Sequence, residues 1–447
     1  MKTSKNYVIV DLGFGDAGKG QIVNFLTWIL SKLYKPINVI RFSGGSQAAH
    51  NVVELIHHTF QNIGSGAMHQ ANTFLSQKTY ILPQNLIDEI EILAKNTGVP
   101  AAEIMANIYI HDDTRIVTSY HKMLNRVKES LSNHQIGSVG LGIGQAVRDY
   151  NENPDSILVY GDFWCYELFC KKMDRIMKRA YTLANQWLEE ADASEENKAE
   201  AQTHIDRFFA DPLTPQEATN WYFQVFKDFP KKNILIDWEF KEALKIGINI
   251  FEGSQGILLD RNYGFRPFVT GTSLLSKNVR YMTDDDYETI GVIRIYATRH
   301  GPGPFPTEDP DLNLAEDHNI FNPWMRGFRQ GWLDLVLLKY SLSVNPVDYL
   351  AVTCLDKVKD LAEIKICTHY ELPDGQIVKN LSIPKTDQEI EDLTNFVFKA
   401  HPVYKTFSNT ESALKFIEAE LGVEISIVSN GINRKDVTFY RKDVKLC

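Results

Sequence analysis

Long apolar runs are missing from this 447-residue chain, and none approaches the roughly 18 residues that a membrane helix needs. The N-terminus, MKTSKNYVIVDLG, runs straight into a β-branched stretch with no signal h-region. Cysteine is scarce: Cys165, Cys170, Cys354, Cys367 and Cys447 are odd in number and scattered, with no C-x-x-C pair. That usage reads as reduced thiols in a cytoplasmic compartment. Positive charge is also short. A net charge of −10 argues against nucleic acid as a partner, while leaving room for a local basic pocket for a small anion. Internal repeats and low-complexity segments are absent. What remains is 44% hydrophobic and 23% charged, ordinary for a soluble enzyme and ample for a large core.

Strand and helix patterns alternate. YVIVDL (7–12) is a short β-branched run, followed by a Gly-rich turn, 13–20. QIVNFLTWILSKL then carries apolar residues at helical spacing, and INVIRF (37–42) is the next strand, so 7–42 is one βαβ unit favouring a parallel sheet. The stretch 163–190 predicts a long amphipathic helix, and 190–218 reads as a solvated excursion. Strands resume at 248–253, 289–298 and 348–356, with a helix expected over GWLDLVLLKYSLSV (331–344). THYELPDGQIV (368–378) holds a Pro-Asp-Gly turn and predicts a hairpin. The expected fold is α/β: one domain over 1–447, a large mainly parallel sheet flanked by helices, a helical insertion at 163–240 and a small hairpin subdomain.

DLGFGDAGKGQ (11–21) is nearly a P-loop. Gly13, Gly18 and Lys19 match G-x-x-x-x-G-K, but the hydroxyl residue that should hold Mg²⁺ is Gly20. Glycines that turn backbone N–H groups inward and a helix N-terminus make an anion site, and Lys19 adds a point charge. Asp16 stands inside that loop, where phosphate would repel it unless it binds the metal or serves as a base. Asp16 can therefore replace the missing hydroxyl. A second loop, RFSGGSQAAH (41–50), follows the next strand and ends in His50, a candidate acid or cation. IGSVGLGIGQA (136–146) reads equally as a phosphate or ribose cradle and as a packed turn. Gln255 and Thr270 fall on loops after a strand, and Arg326 and Arg329 form a pair suited to a carboxylate or phosphate.

Taken in order, these blocks resemble the adenylosuccinate synthetase family. Its G-D-E-G-K-G-K is GDAGKGQ (15–21), its R-F-x-G-G-x-N-A-G-H is RFSGGSQAAH, and its F-E-G-A-Q-G-x-L-L-D is FEGSQGILLD (251–260), followed by PFVT (267–270). GPFPTE (303–308) and GWLD (331–334) are unchanged, TCLD (353–356) stands for T-K-L-D, and SNGINR (429–434) for S-T-G-P-x-R. The resemblance implies a ligase: the γ-phosphate of GTP goes to the 6-oxygen of IMP, and the amine of aspartate displaces it. On that reading Asp16, His50 and Lys19 are catalytic, and Gly15, Ala17, Gly18 and Gly20 form the phosphate loop. Asp16 and the Ala49 backbone hold Mg²⁺. Gln47, Ser138, Gln255 and Thr270 take the acceptor nucleotide, and Arg326 and Arg329 the amine substrate. Asp356, Ser429 and Gly431 take the donor base. A homodimer is also implied.

The chain diverges at defined points. The family's loop Glu is Ala17, its Asn is Gln47, and Val139 and Leu141 replace a Thr and an Arg. By ungapped count the arginine that family dimers lend to the neighbour's nucleotide falls at Asn153. The threonine-rich amine loop reads NPWMRGFRQ, and the Lys of the base motif is Cys354, which predicts only a modest preference for GTP over ATP. Phosphoryl-transfer residues are kept while both substrate pockets have changed. The alternatives are a paralogue that couples a different nucleotide or amine, and a non-catalytic nucleotide-binding protein.

Overall fold

The β-branched stretch near the N-terminus becomes the strand Asn6–Asp11, every residue of it buried, near the middle of a ten-stranded sheet. The computed structural model describes residues 6–132, 140–210, 214–227, 229–316 and 327–441. Across the large sheet the order is Ile234–Leu235, Ile108–His111, Asn72–Leu75, Ile37–Arg41, Ile248–Gly256, Asn6–Asp11, Tyr287–Arg294, Tyr349–Thr353, Glu424–Ser429 and Val437–Phe439. All neighbours are parallel except the last pair. Both faces are covered, as a parallel sheet requires. Tyr7 and Ile9 pack with Ile22, Val23 and Leu26 of the helix Lys19–Leu30 on one face. Val8, Val10 and Leu12 join Phe251, Ile293 and Val352 on the other. The alternation follows from the two-residue period of a strand.

A row of asparagines fixes the register at the far end from the loops. Asn72 Nδ2 donates to Asn38 Oδ1 (3.0 Å), Asn38 Nδ2 to Asn249 Oδ1 (2.9 Å) and Asn249 Nδ2 to Asn6 Oδ1 (2.8 Å). These residues are Cα partners across four strands. A one-residue slip would leave buried amides unpaired, at about 1–3 kcal/mol each.

A smaller five-stranded sheet holds Tyr296–His300, Phe328–Asp334, Ile364–Glu371, Ile377–Val378 and His401–Phe407. The expected hairpin is present, with Tyr370 opposite Val378. The expected helix over 331–344 is corrected: GWLD belongs to the strand Phe328–Asp334, and the helix is Leu335–Val344. The Asp334 carboxylate caps it, accepting from the Val336 and Leu337 N–H groups. The solvated excursion at 190–218 is corrected too. It contains the helix Glu195–Phe209, whose Ala201 and Ile205 are buried in the same core as Phe169, Met173 and Ile176 of the helix Tyr166–Glu190. Among the described residues no helix is long and apolar enough to cross a membrane.

Candidate active site

Parallel strands deliver their following loops to one edge of the sheet, where open α/β sheets bind ligands. Here Asn6–Asp11 leads to the loop carrying Asp16, Ile37–Arg41 to 42–49, Ile248–Gly256 ends at Gln255, Tyr287–Arg294 at Arg294, and Tyr349–Thr353 leads to Asp356. These loops surround a cavity of about 1120 Å³. Gly15, Asp16, Gly18, Lys19, Gly20, Gln47, Ala49, His50, Gln255, Thr270, Asp356 and Gly431 all line it. Residues separated by more than 400 positions are thus brought to one place.

The phosphate loop curls around Asp11, which sequence reasoning missed. Its carboxylate accepts from the N–H of Gly13 (2.8 Å) and Ala17 (2.9 Å) and from Lys19 Nζ (3.1 Å). Gly15, Asp16 and Gly18 have φ of 101°, 59° and 87°. A left-handed Asp is uncommon and strained, and such residues cluster at functional sites. Gly20 is explained by proximity. A Cβ there would lie 2.8 Å from His50 Cβ, so the Ser or Thr of an ordinary P-loop has no space.

Asp16 is held ionised. His300 Nε2 lies 3.1 Å from its Oδ2, and Arg294 Nε donates to its backbone oxygen at 2.6 Å. Burial alone would raise its pKa, but the His300 hydrogen bond and the charges of His300, Arg294 and Lys19 outweigh that and hold it at about 2. Arg294 also donates to Tyr296 Oη and Glu316, and its charge reaches Cys354. A cation therefore stands beside the position where the sequence lacks a lysine.

His50 is buried, with Nδ1 2.9 Å from Arg41 Nη1 and 2.6 Å from Glu252 Oε1, and Nε2 3.0 Å from the Ser254 carbonyl. A neutral ring can accept from Arg41 and donate to Ser254. A protonated ring donates at both nitrogens, with Glu252 as its counterion. Burial and Arg41 push its pKa down, while Glu252 opposes them. Burial would raise Glu252, yet Arg41, His50 and Ser65 hold it at about 2.

The match to known proteins covers this whole assembly. Residues 8–438 fit the family model for adenylosuccinate synthetase. The chain belongs to the adenylosuccinate synthetase family. It is 30% identical to an adenylosuccinate synthetase of Thermoplasma volcanium, over 96% of each chain, and 29% identical to one of Borrelia duttonii, over 98% of each. Its fold is similar to an adenylosuccinate synthetase of Plasmodium falciparum, with a TM-score of 0.75, 20% identity, and 97% and 99% of the two chains covered. It is also similar to a cyanophage S-2L succinoaminodeoxyadenylate synthetase, with a TM-score of 0.58 at 14% identity, covering 98% and 96%. Adenylosuccinate synthetases are ligases that form a C–N bond and use GTP as co-substrate.

Against that family pattern, some expected residues lie back from the cavity. Ser429 is fully buried and its hydroxyl donates to the Gly431 carbonyl at 2.7 Å, shaping the loop from behind. Arg329 does not line the cavity. It pairs with both oxygens of Glu308 and donates to the carbonyls of Gly301 (3.1 Å) and Gly303 (3.0 Å). Ser138 and Arg326 lie outside the described residues, as do Val139 and Pro323, Trp324 and Met325 of the changed amine loop. Asp11, Glu252, Arg294 and His300 were missed. A charged residue inside an otherwise apolar buried strand, as in VIVDL and INIFEG, was the available signal for the first two.

Proposed function

We propose that the protein joins IMP and aspartate at the expense of GTP, making adenylosuccinate. The observation that carries this is Asp16, an ionised carboxylate one-third exposed at the centre of a phosphate loop, with Gln255 and His50 on the same cavity wall. A base there takes the N1 proton of IMP, so that the 6-oxygen becomes the nucleophile toward the γ-phosphate. The second step breaks the bond between C6 and the phosphorylated oxygen as the amine of aspartate attacks. His50 steadies the transferring group, for which its Nε2–H must leave the Ser254 carbonyl. Lys19 lines the cavity with its ammonium on Asp11, and it and the loop N–H groups that Asp11 does not take would meet the phosphates.

Asp16 and Ala49 both line the cavity, where the carboxylate of one and the carbonyl of the other would offer oxygen donors suited to a hard cation. They would hold Mg²⁺, which when bound neutralises phosphate charge. Asp356, an acceptor-only carboxylate on the cavity wall, fits the N1–H and exocyclic amine of guanine, and Gly431 edges the base. Gln47, Gln255 and Thr270 face the acceptor nucleotide. Arg329 would serve aspartate only after releasing Glu308. One domain with a helical insertion at 163–240, a homodimer and a cytoplasmic location complete the reading, the last supported by free thiols at all four described cysteines.

The test is to incubate purified protein with IMP, GTP, Mg²⁺ and aspartate and to follow phosphate release and adenylosuccinate together. Formation of both in equal amounts, dependent on all components, is the expected result. Phosphate release with no C–N product, or none at all, would overturn it.

A further inference from the structure

We propose that Arg148 and Lys128 form a same-chain site for the 5′-phosphate of the acceptor nucleotide, an inference that rests on the ligase reading above. Both line the cavity, on the wall made by Leu141, Gly142, Ile143 and Gly144. Arg148 belongs to the helix Ile143–Glu152 and Lys128 to the helix Ser119–Leu131. The Arg148 head is fixed from one side only. Its Nε and Nη2 both donate to Gln145 Oε1, at 3.2 and 2.6 Å, and Gln145 Nε2 in turn donates to Asp149 Oδ1 at 2.8 Å. Nη1 is left over Gly144, the first turn of the helix, where a Cβ would find it at 3.9 Å and nothing else within 4 Å.

Neither cation has a counterion at ion-pair distance among the described residues. Lys128 Nζ rests 5.7 Å from the Trp187 ring, and partial desolvation together with the Arg148 charge pushes the ammonium of this exposed residue below the ordinary value. Two like charges from two helices, facing one cavity, repel each other, and a dianion between them relieves that repulsion. The helix adds its own N-terminus, since it starts at a left-handed Gly142 with no side-chain cap. Glu129 lines the same wall and offsets part of the charge, which favours a phosphate monoester over a polyphosphate.

The loop at Thr270 closes the opposite side. A Cβ on Gly271 would lie 3.4 Å from Gly144 Cα, so the proposed nucleotide contact at Thr270 adjoins the cationic wall. Asn153, at the end of the Arg148 helix, is uncharged, and its Oδ1 is used to accept from the Asp155 N–H at 3.0 Å. A positive charge missing there is supplied one turn and more earlier, by Arg148 on the cavity wall of the same chain.

The experiment is calorimetric binding of IMP and of inosine, which lacks the phosphate, to the full-length protein and to Arg148→Gln, Lys128→Met, the double variant and Arg148→Lys. Each single loss should weaken IMP about tenfold and the double about a hundredfold, with Arg148→Lys in between, while inosine affinity stays within twofold. In turnover, KM for IMP should rise while KM for GTP stays unchanged. Mixing Arg148→Gln with Asp16→Asn subunits should not restore turnover at low IMP, because no single chain carries both groups. IMP affinity unchanged in the double variant would overturn the proposal, as would equal loss of IMP and inosine. So would recovery on mixing, which would put the arginine in a neighbour's site. Binding needs neither GTP nor aspartate, so failure of the ligase reading is seen separately, in the phosphate-release assay.

Discussion

Replacing Glu252 with Gln removes one charge from the centre of the site and keeps the shape. Glu252 is wholly buried, and its carboxylate takes His50 Nδ1 (2.6 Å), Arg41 Nη1 (3.2 Å), the Ser65 N–H (3.0 Å) and the Ser65 hydroxyl. An amide offers one acceptor where two are needed and turns a donor toward other donors. Breaking a buried pair and leaving the arginine uncompensated costs about 3–5 kcal/mol. The pKa shift gives a similar figure. A fall from 4.5 to about 2 corresponds to roughly 3 kcal/mol at about 1.36 kcal/mol per unit. Because the folded pKa is depressed, this stabilisation is complete above pH 4.5 and is lost as pH falls toward 2. Urea unfolding of wild type and Glu252→Gln, run from pH 7 to pH 3, measures the gap directly. It should be about 3 kcal/mol at neutral pH and narrow below pH 4.5. A gap under 1 kcal/mol at pH 7, or one that does not change with pH, would refute the reasoning. Turnover should fall as well, since His50 loses the only carboxylate shown to touch it in the described residues.

Asp16→Asn keeps size and polarity but removes the proposed base, and should lower the rate of phosphate release ~10²–10⁴-fold. Turnover within threefold of wild type would remove Asp16 from the chemistry. Gly20→Ser restores the P-loop hydroxyl but drives a Cβ to 2.8 Å from His50 Cβ. It should cost about 1–3 kcal/mol and lower activity, and a thermal midpoint equal to wild type would show that the close approach is not a constraint. Asp356→Ala should erase discrimination between GTP and ATP, read as the ratio of their kcat/KM values. An unchanged ratio would place guanine recognition elsewhere.

The loops could be read from the sequence because their signal is local. A β-branched run, a glycine cluster and a helical period lie within twenty residues of one another, so the phosphate loop, the loop ending at His50 and the position of Asp356 at a strand end all emerged without the sheet order. The residues that hold them could not, because their partners come from distant strands. Glu252 reaches His50 across 202 positions, and Arg294 reaches Asp16 across 278. The first contact exists because Ile248–Gly256 lies beside Ile37–Arg41, with Glu252 opposite Arg41, and the second because Tyr287–Arg294 lies beside Asn6–Asp11, and nothing in a single strand's composition states its neighbour. The misread elements have local causes. GWLDLVLL is apolar apart from Gly331 and Asp334, and such a stretch does not distinguish a buried strand from a buried helix. The acidic composition of 190–218 concealed a stripe as narrow as Ala201 and Ile205.

The missing lysine at Cys354 shows how the two kinds of information combine. By motif alone its loss leaves one wall of the base site without a cation. In the fold, Cys354 adopts a left-handed φ of 61° at the start of the short helix Leu355–Val358. Burial raises the thiol's pKa there, and Arg294, brought close by the neighbouring strand, offsets part of that rise. Arg294 is not a free replacement, because Glu316, Tyr296 and the Asp16 carbonyl already share its guanidinium. It ties the loop of Cys354, proposed to face the donor base, to the backbone of the loop that carries Asp16. A change at Arg294 should therefore disturb Asp16 and the donor site together, whereas a change at Asp356 should alter base selectivity alone. That contrast, read as kcat against the GTP-to-ATP ratio in Arg294→Lys and Asp356→Ala, separates a shared structural strut from a direct contact with the base.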